Sequence, residues 1–305
     1  MARRFSQSGA KSRLNPQIAV GMLLLAVFIY VLRQLFRGTW QVDPVLVHIG
    51  PVSIRWYGVM IALGVLASYS LAERIGPRRG VASDHIFNLL LLVVPAGLLG
   101  ARLGFVLQNL PYYLDEPGEI LRTWQGGLSI HGAVMAALAV FAIYARLTHV
   151  SLASITDIAA PAALVGQAIG RWGNFFNQEV YGYPTDVPWK MYVRPENRPI
   201  DMQQIAYYHP GFLYESLWNI ASAMVVLWFI HQPYARKGDG LWLYLILYSA
   251  GRFWVEFFRI GAPYWAGLTL AQLVSLGLVL IGLLGLFGPR LLAMSRHRGQ
   301  EPTGR

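Results

Sequence analysis

Along this chain apolar and polar positions alternate in long blocks. Apolar stretches run at about 18–36, 56–74, 86–108, 129–147, 155–174, 212–231, 240–258 and 267–288, with polar segments between them. Each is about as long as a helix needs to cross a hydrocarbon core roughly 30 Å thick. Lipid offers the backbone no hydrogen-bond partners, so uninterrupted spans of this kind are helices. The pattern predicts an all-α polytopic membrane protein with eight spanning helices. The first stretch follows a basic segment (Arg3, Arg4, Lys11, Arg13), as a signal peptide would. No small-residue cleavage site follows it, and Arg33 and Arg37 flank its end, so a retained transmembrane helix is expected.

Composition agrees. Of 305 residues 55% are hydrophobic and 13% charged, with mean hydropathy +0.43; a soluble domain carries about 25% charged residues. The net charge of +10 sits in short loops between spans, which fits positive-inside topology better than nucleic-acid binding. With residues 1–15 inside, about twice as many lysines and arginines fall on that side as outside, so both termini are expected to be cytoplasmic. The expected division is a basic tail and extra transmembrane helix (1–40), a main membrane domain (41–290) and a basic cytoplasmic tail (291–305). The longest outside loop, 175–211, is rich in Pro, Tyr, Trp and Asn and is expected to form a small external (periplasmic) cap. No internal repeat is apparent, which weakens a reading as an inverted-repeat transporter. Cysteine is absent, which excludes disulfides, thiolate metal sites and an enzyme-borne cysteine nucleophile. No HExxH or DxD-type run suggests a metal.

Charge changes the picture most where it enters apolar spans. Gly170-Arg-Trp-Gly-Asn-Phe-Phe-Asn-Gln-Glu-Val-Tyr-Gly182 places an arginine, amides and a carboxylate at the end of one span. Gln167, Arg171, Asn174 and Gln178 fall on one helical face. An arginine in a bilayer costs at least about 2.5–3.5 kcal/mol near its centre, so it faces a partner or a wet cavity. In another span Tyr248, Arg252 and Glu256 form a second polar stripe, and Arg252 and Glu256 can simply pair. Two spans thus carry an arginine followed by a glutamate (Arg171 with Glu179, Arg252 with Glu256), and two converging guanidiniums suit a phosphate. His131, just inside the outer interface, is either a hydrogen-bonded interface residue or a general base. Tyr57 reads first as an aromatic-belt residue. Arg102 and Asp157 are expected to stabilise one another across helices, and Glu215 to orient a head-group contact. Two rival readings are a lipid or small-anion transporter and a CDP-alcohol phosphotransferase; the latter needs a DG-x-x-AR motif that is missing.

The 170–182 stretch closely resembles the signature of bacterial prolipoprotein diacylglyceryl transferases. Further stretches agree in order: Gly50-Pro-Val-Ser-Ile-Arg-Trp-Tyr-Gly58, Gly100-Ala-Arg-Leu-Gly104, Gly126-Gly-Leu-Ser-Ile-His-Gly132, His209-Pro-x-x-Leu-Tyr-Glu215 and Arg252-Phe-x-x-Glu-Phe-Phe-Arg259. The resemblance covers roughly 43–288. It implies a seven-helix transferase core to which the 18–36 helix is an addition. It also implies the reaction: a diacylglyceryl group passes from phosphatidylglycerol to the lipobox cysteine thiol of a preprolipoprotein, giving a thioether and glycerol phosphate. Neither metal nor cofactor is implied, and the location is the bacterial inner membrane. By the same resemblance Arg171, Asn174, Glu179 and Gly182 match phospholipid-binding positions, and His131 and Arg252 match an essential histidine and an important arginine. Tyr57, Tyr248 and Glu256 match further functional positions.

Overall fold

A computed structural model describes residues 16–50, 52–123, 126–261, 264–265 and 267–298. The expected basic tail at 1–15 lies outside them, as do residues 299–305 of the tail expected at 291–305, whose first part instead continues the last helix to Arg298. The chain divides into two compact units: Pro44–Gly182 with Gly211–Arg305, and Met1–Asp43 with Tyr183–Pro210.

The larger unit begins with an antiparallel pair, β1 (Val45–Ile49) and β2 (Val52–Arg55), which runs straight into α2 (Trp56–Ile75). There follow α3 (Ser83–Gln108), the short α4 (Leu110–Asp115), α5 (Ile130–Thr148) and α6 (Leu152–Asn177). After the insertion come α7 (Gly211–Ile230), α8 (Asp239–Glu256), a two-stranded turn of β5 (Tyr264–Trp265) and β6 (Leu268–Thr269), and α9 (Leu270–Arg298). The smaller unit holds α1 (Pro16–Phe36) and a ladder of β3 (Met191–Tyr192) and β4 (Tyr207–Tyr208). All eight expected helices are present. Seven are long and apolar enough to cross a membrane; the eighth, α8, carries Asp239, Arg252 and Glu256 and is correspondingly more polar.

At the centre of the larger unit lies α6, packed against α2, α7 and α8, while α3 pairs with α5 and α8 with α9. Its sequence is full of small residues (Ala159, Ala160, Ala162, Ala163, Gly166, Ala168, Gly170, Gly173). Without large side chains to hold helices apart, backbones approach closely, as membrane helices require when water gives no hydrophobic drive. A Cβ on Gly64 of α2 would stand 2.8 Å from the Gly166 carbonyl, and one on Gly132 of α5 would overlap the Gly100 carbonyl of α3. Ile158, Ala160 and Leu164 meet Ile75, Val81, Ile86, Val226 and Ile230 in the main apolar cluster.

The expected Arg102–Asp157 pair does not form. Asp157, fully buried, accepts from the Arg79 guanidinium and from the backbone N–H groups of Gly238 (3.0 Å) and Gly240 (2.8 Å). Arg102 instead donates to four carbonyls, those of Glu119 (2.6 Å), Ile120 (2.7 Å), Gly126 and Gly127 (both 3.0 Å). The reason is axial position. Asp157 is one turn into α6, whereas Arg102 is near the far end of α3, roughly 28 Å along it at 1.5 Å per residue. Arg79, just before α3 begins, is the arginine at Asp157's level.

Candidate functional site

Ser151 accepts a hydrogen bond from the Ser154 N–H and starts α6, which runs without a break to Asn177 and delivers Arg171 and Asn174 near its far end. There Gln178 takes a left-handed conformation (φ +52), so the helical face expected to continue through Gln178 stops one residue short. The Glu179 N–H returns to the Asn174 carbonyl at 3.0 Å. Its carboxylate then accepts from the side-chain amides of Asn174 (2.8 Å) and Asn177 (3.3 Å). Val180 is also left-handed (φ +57), a conformation unusual for a β-branched residue and found where surrounding structure enforces it.

Glu179, the glutamate that follows Arg171 in sequence, is thus engaged by amides and not by the arginine. The Arg171 guanidinium pairs with Glu215 of α7. The other oxygen of Glu215 faces Arg252 of α8 at 3.9 Å, and Arg252 pairs with Glu256 at 2.7 Å, one turn on. Arg259 approaches the same Glu256 oxygen at 3.7 Å, and its backbone bridges Gly182. Burial, and after it the charge of Arg252, push the Arg259 pKa below the ordinary arginine value. Three guanidiniums from three chain segments thus share two buried carboxylates, leaving one positive charge in excess.

The two central arginines retain partial access, with side chains 26% (Arg171) and 19% (Arg252) exposed, while the Glu215 side chain is 6% exposed. Arg252 Nη1 and Glu215 Oε1 are both buried without a hydrogen-bond partner. An unsatisfied guanidinium donor beside two further guanidiniums is placed to donate to an anionic oxygen.

Other expected residues frame this cluster. Tyr57, on the first turn of α2, lays its ring over Gly173, where a Cβ would stand 2.6 Å from Tyr57 Cδ2. Tyr248 stacks on Tyr244 (5.6 Å between centroids, planes 6° apart), and Gln167 donates to the Tyr244 hydroxyl at 2.9 Å. Gly182 is buried at the bridge to Arg259. His131 stands apart: it is exposed on the first turn of α5, a helix packed chiefly on α3, and its side chain makes no hydrogen bond or ion pair with another described residue.

Two members were less legible in the sequence. Glu215, expected only to orient a head-group contact, is a carboxylate one turn into an otherwise apolar span, where a charge needs a partner. Arg259 has no role in the sequence reading beyond closing the 252–259 motif, although it lies at i+3 from Glu256, within reach across one helical turn.

The fold is that of a multi-pass membrane protein, with three arginines and two glutamates gathered at or near the ends of its helices. The model of the family "Prolipoprotein diacylglyceryl transferase" matches residues 44–288. Curated relatives named phosphatidylglycerol–prolipoprotein diacylglyceryl transferase include that of Thermosynechococcus vestitus, 40% identical over 79% of this chain and 90% of the relative. That of Synechococcus elongatus is 41% identical over 80% and 86%. The Fervidobacterium nodosum protein is 40% identical over 86% and 91%. The chain belongs to the prolipoprotein diacylglyceryl transferase family.

Proposed function

We propose that the arginine–glutamate cluster carries the reaction named in its relatives, transfer of a diacylglyceryl group from phosphatidylglycerol to the lipobox cysteine of a preprolipoprotein. The observation that carries this reading is the meeting of Arg171 and Arg252, from different helices, on the single carboxylate of Glu215. In this reading Glu215 holds both guanidiniums in place while the site is empty, and the lipid phosphate takes them over when it binds. Arg171 anchors the head group. Arg252, whose Nη1 has no hydrogen-bond partner among the described residues, stabilises the phosphate as it leaves. The substrate sulfur forms a bond to the glycerol carbon of the diacylglyceryl group, the carbon–oxygen bond to phosphate breaks, and glycerol phosphate departs with its negative charge held by the arginines. The thiol proton goes to a base, for which His131 is our assignment, directly or through water. Asn174 and Glu179 fix the turn that closes α6, Gly182 fixes the strand leaving it, Tyr57 and Tyr248 line the approach, and Glu256 keeps Arg252 aimed.

For location we propose the bacterial inner membrane with the cluster toward the outer leaflet and both termini in the cytoplasm. Arg171 and Arg252 both lie at the C-terminal ends of their helices, and the short loops at the opposite ends carry Arg74, Arg78, Arg79, Arg146, Arg236 and Lys237. We retain residues 41–290 as the transferase domain. The test is to incubate membranes carrying the protein with phosphatidylglycerol and a lipobox peptide, and to read the peptide mass. The cysteine peptide should gain a diacylglyceryl group and a serine version should not. Lipid movement without a covalent product would favour a transporter instead.

A further inference from the structure

The helix α1 carries none of the residues assigned to that reaction and lies outside the region matched by the family model. Its surface is unevenly used. Every residue from Gln17 to Tyr30 is exposed, whereas Val31, Leu32, Gln34 and Leu35 are half-buried and Phe36 is buried. The packed end is the C-terminal one, where the chain turns at Gly38 (φ +73). Gly38 lies directly on Tyr192: a Cβ there would overlap the ring's Cγ and stand 3.0 Å from the Tyr192 Cβ. Both atoms are at the root of the tyrosine, so turning the ring does not clear them. Beside it the Tyr207 hydroxyl donates to the Arg37 carbonyl at 3.4 Å.

Tyr192 and Tyr207 are register partners of the β3–β4 ladder, with their rings edge to face at 6.0 Å. Each is backed by a cation, Arg198 over Tyr192 at 5.5 Å and Lys190 over Tyr207 at 4.6 Å. The turn after α1 thus sits on a platform of two tyrosines that belongs to the 183–210 insertion.

The insertion leaves and rejoins the larger unit at one place. Gly182, its outgoing stem, is bridged to Arg259. Gly211, its returning stem, packs so closely that a Cβ would stand 2.7 Å from the Val180 carbonyl. Glu215 follows Gly211 by one helical turn. Both stems are therefore continuous with the charged cluster.

We propose that α1 is a brace for the insertion: its C-terminal turn clamps the two-tyrosine platform and so limits the freedom of the segment whose ends carry the site. Its effect on substrate handling rests on the proposed transferase function; the contact itself does not.

The chain has no cysteine, so Arg37→Cys with Tyr207→Cys supplies a single thiol pair. In membranes bearing the full chain, a short bis-maleimide should join the two, seen as one cross-linked peptide pair by mass spectrometry. Absence of that product, with each single thiol still labelled by a monofunctional maleimide, overturns the contact. Gly38→Val should then lower the cross-link yield, hasten protease cutting within 183–210, and raise KM for the lipobox peptide severalfold with kcat little changed. Should Gly38→Val fail to accumulate, Tyr207→Phe in the otherwise unmutated chain removes only the bond to Arg37 and should shift the protease and KM readouts in the same direction but less. Faster cutting with unchanged KM overturns the link to the site. A cross-linked, protease-resistant insertion in a chain that transfers nothing, even unmutated, supports the brace and overturns the function.

Discussion

Arg171 and Arg252 are chemically alike but differently held: one answers to a single carboxylate, the other stands between two. Removing a preorganised donor aimed at developing charge costs on the order of 100- to 1,000-fold in kcat. Arg252→Ala should lose about that much, and Arg252→Lys should recover little of it, because an ammonium lacks the planar fork that grips phosphate. Peptide lipidation rates measured at saturating phosphatidylglycerol check this. Glu215→Gln makes a sharper test. Taking one partner from a buried ion pair costs roughly 3–5 kcal/mol, so the lipid-free variant should melt earlier in detergent. If phosphate takes over the role of Glu215, adding phosphatidylglycerol should raise the melting temperature more in the variant than in the original chain. Equal shifts would remove the placeholder role. His131→Gln should slow turnover and alter the pH–rate profile; undiminished turnover with the same profile would leave thiol activation to the arginines alone.

At the scale of elements much was legible. Eight apolar runs became eight helices because hydrocarbon length and backbone hydrogen bonding permit little else. The convergence of Arg171 and Arg252 was legible too, since each sits near the end of a span and needs a polar companion. The companions themselves were not. Glu179 is the carboxylate nearest Arg171 in the same stretch, but α6 ends at Asn177 and Glu179 folds back onto Asn174, leaving Arg171 to a carboxylate 44 positions away. Arg102 was matched to Asp157 by sign of charge, without regard to where each lies along its helix. Local spacing fixes which face a residue takes; which helices then touch depends on small residues that carry no charge signal. That dependence is testable. Gly132→Ala pushes a methyl group into the Gly100 carbonyl, whereas a Cβ on Gly97 of α3 meets nothing within 4 Å. Gly97→Ala should be neutral or stabilise by up to about 1 kcal/mol through helix propensity, and Gly132→Ala should lower the detergent melting temperature.

Across the larger unit, the charged cluster at one end has a counterpart at the other. Asp157 ties the start of α6 to Arg79 before α3 and to the N–H groups of Gly238 and Gly240 as α8 begins. Arg79 also donates to the Ile230 carbonyl at 2.9 Å, so the end of α7 is held as well. Arg252 lies roughly 18 Å further along α8 from Gly240, at 1.5 Å per residue. A rigid helix pinned at its start carries its far end in fixed register, and the 3.9 Å spacing between Arg252 and Glu215 depends on the relative axial positions of α6, α7 and α8. All three are set at Asp157. Asp157→Asn keeps the side chain's shape but removes its charge and one acceptor, leaving Arg79 without its anion, at a cost of about 3–5 kcal/mol for a buried pair. Turnover should fall although no residue of the cluster has changed. Arg79→Leu combined with Asp157→Leu removes both charges together, so its loss of stability should be smaller than the sum of the two single replacements. Melting curves of the two leucine singles and their double in detergent, and turnover of Asp157→Asn, decide the matter: additive losses would mean that the pair is not coupled, and unchanged turnover would mean that the pinned end does not set the register of the other.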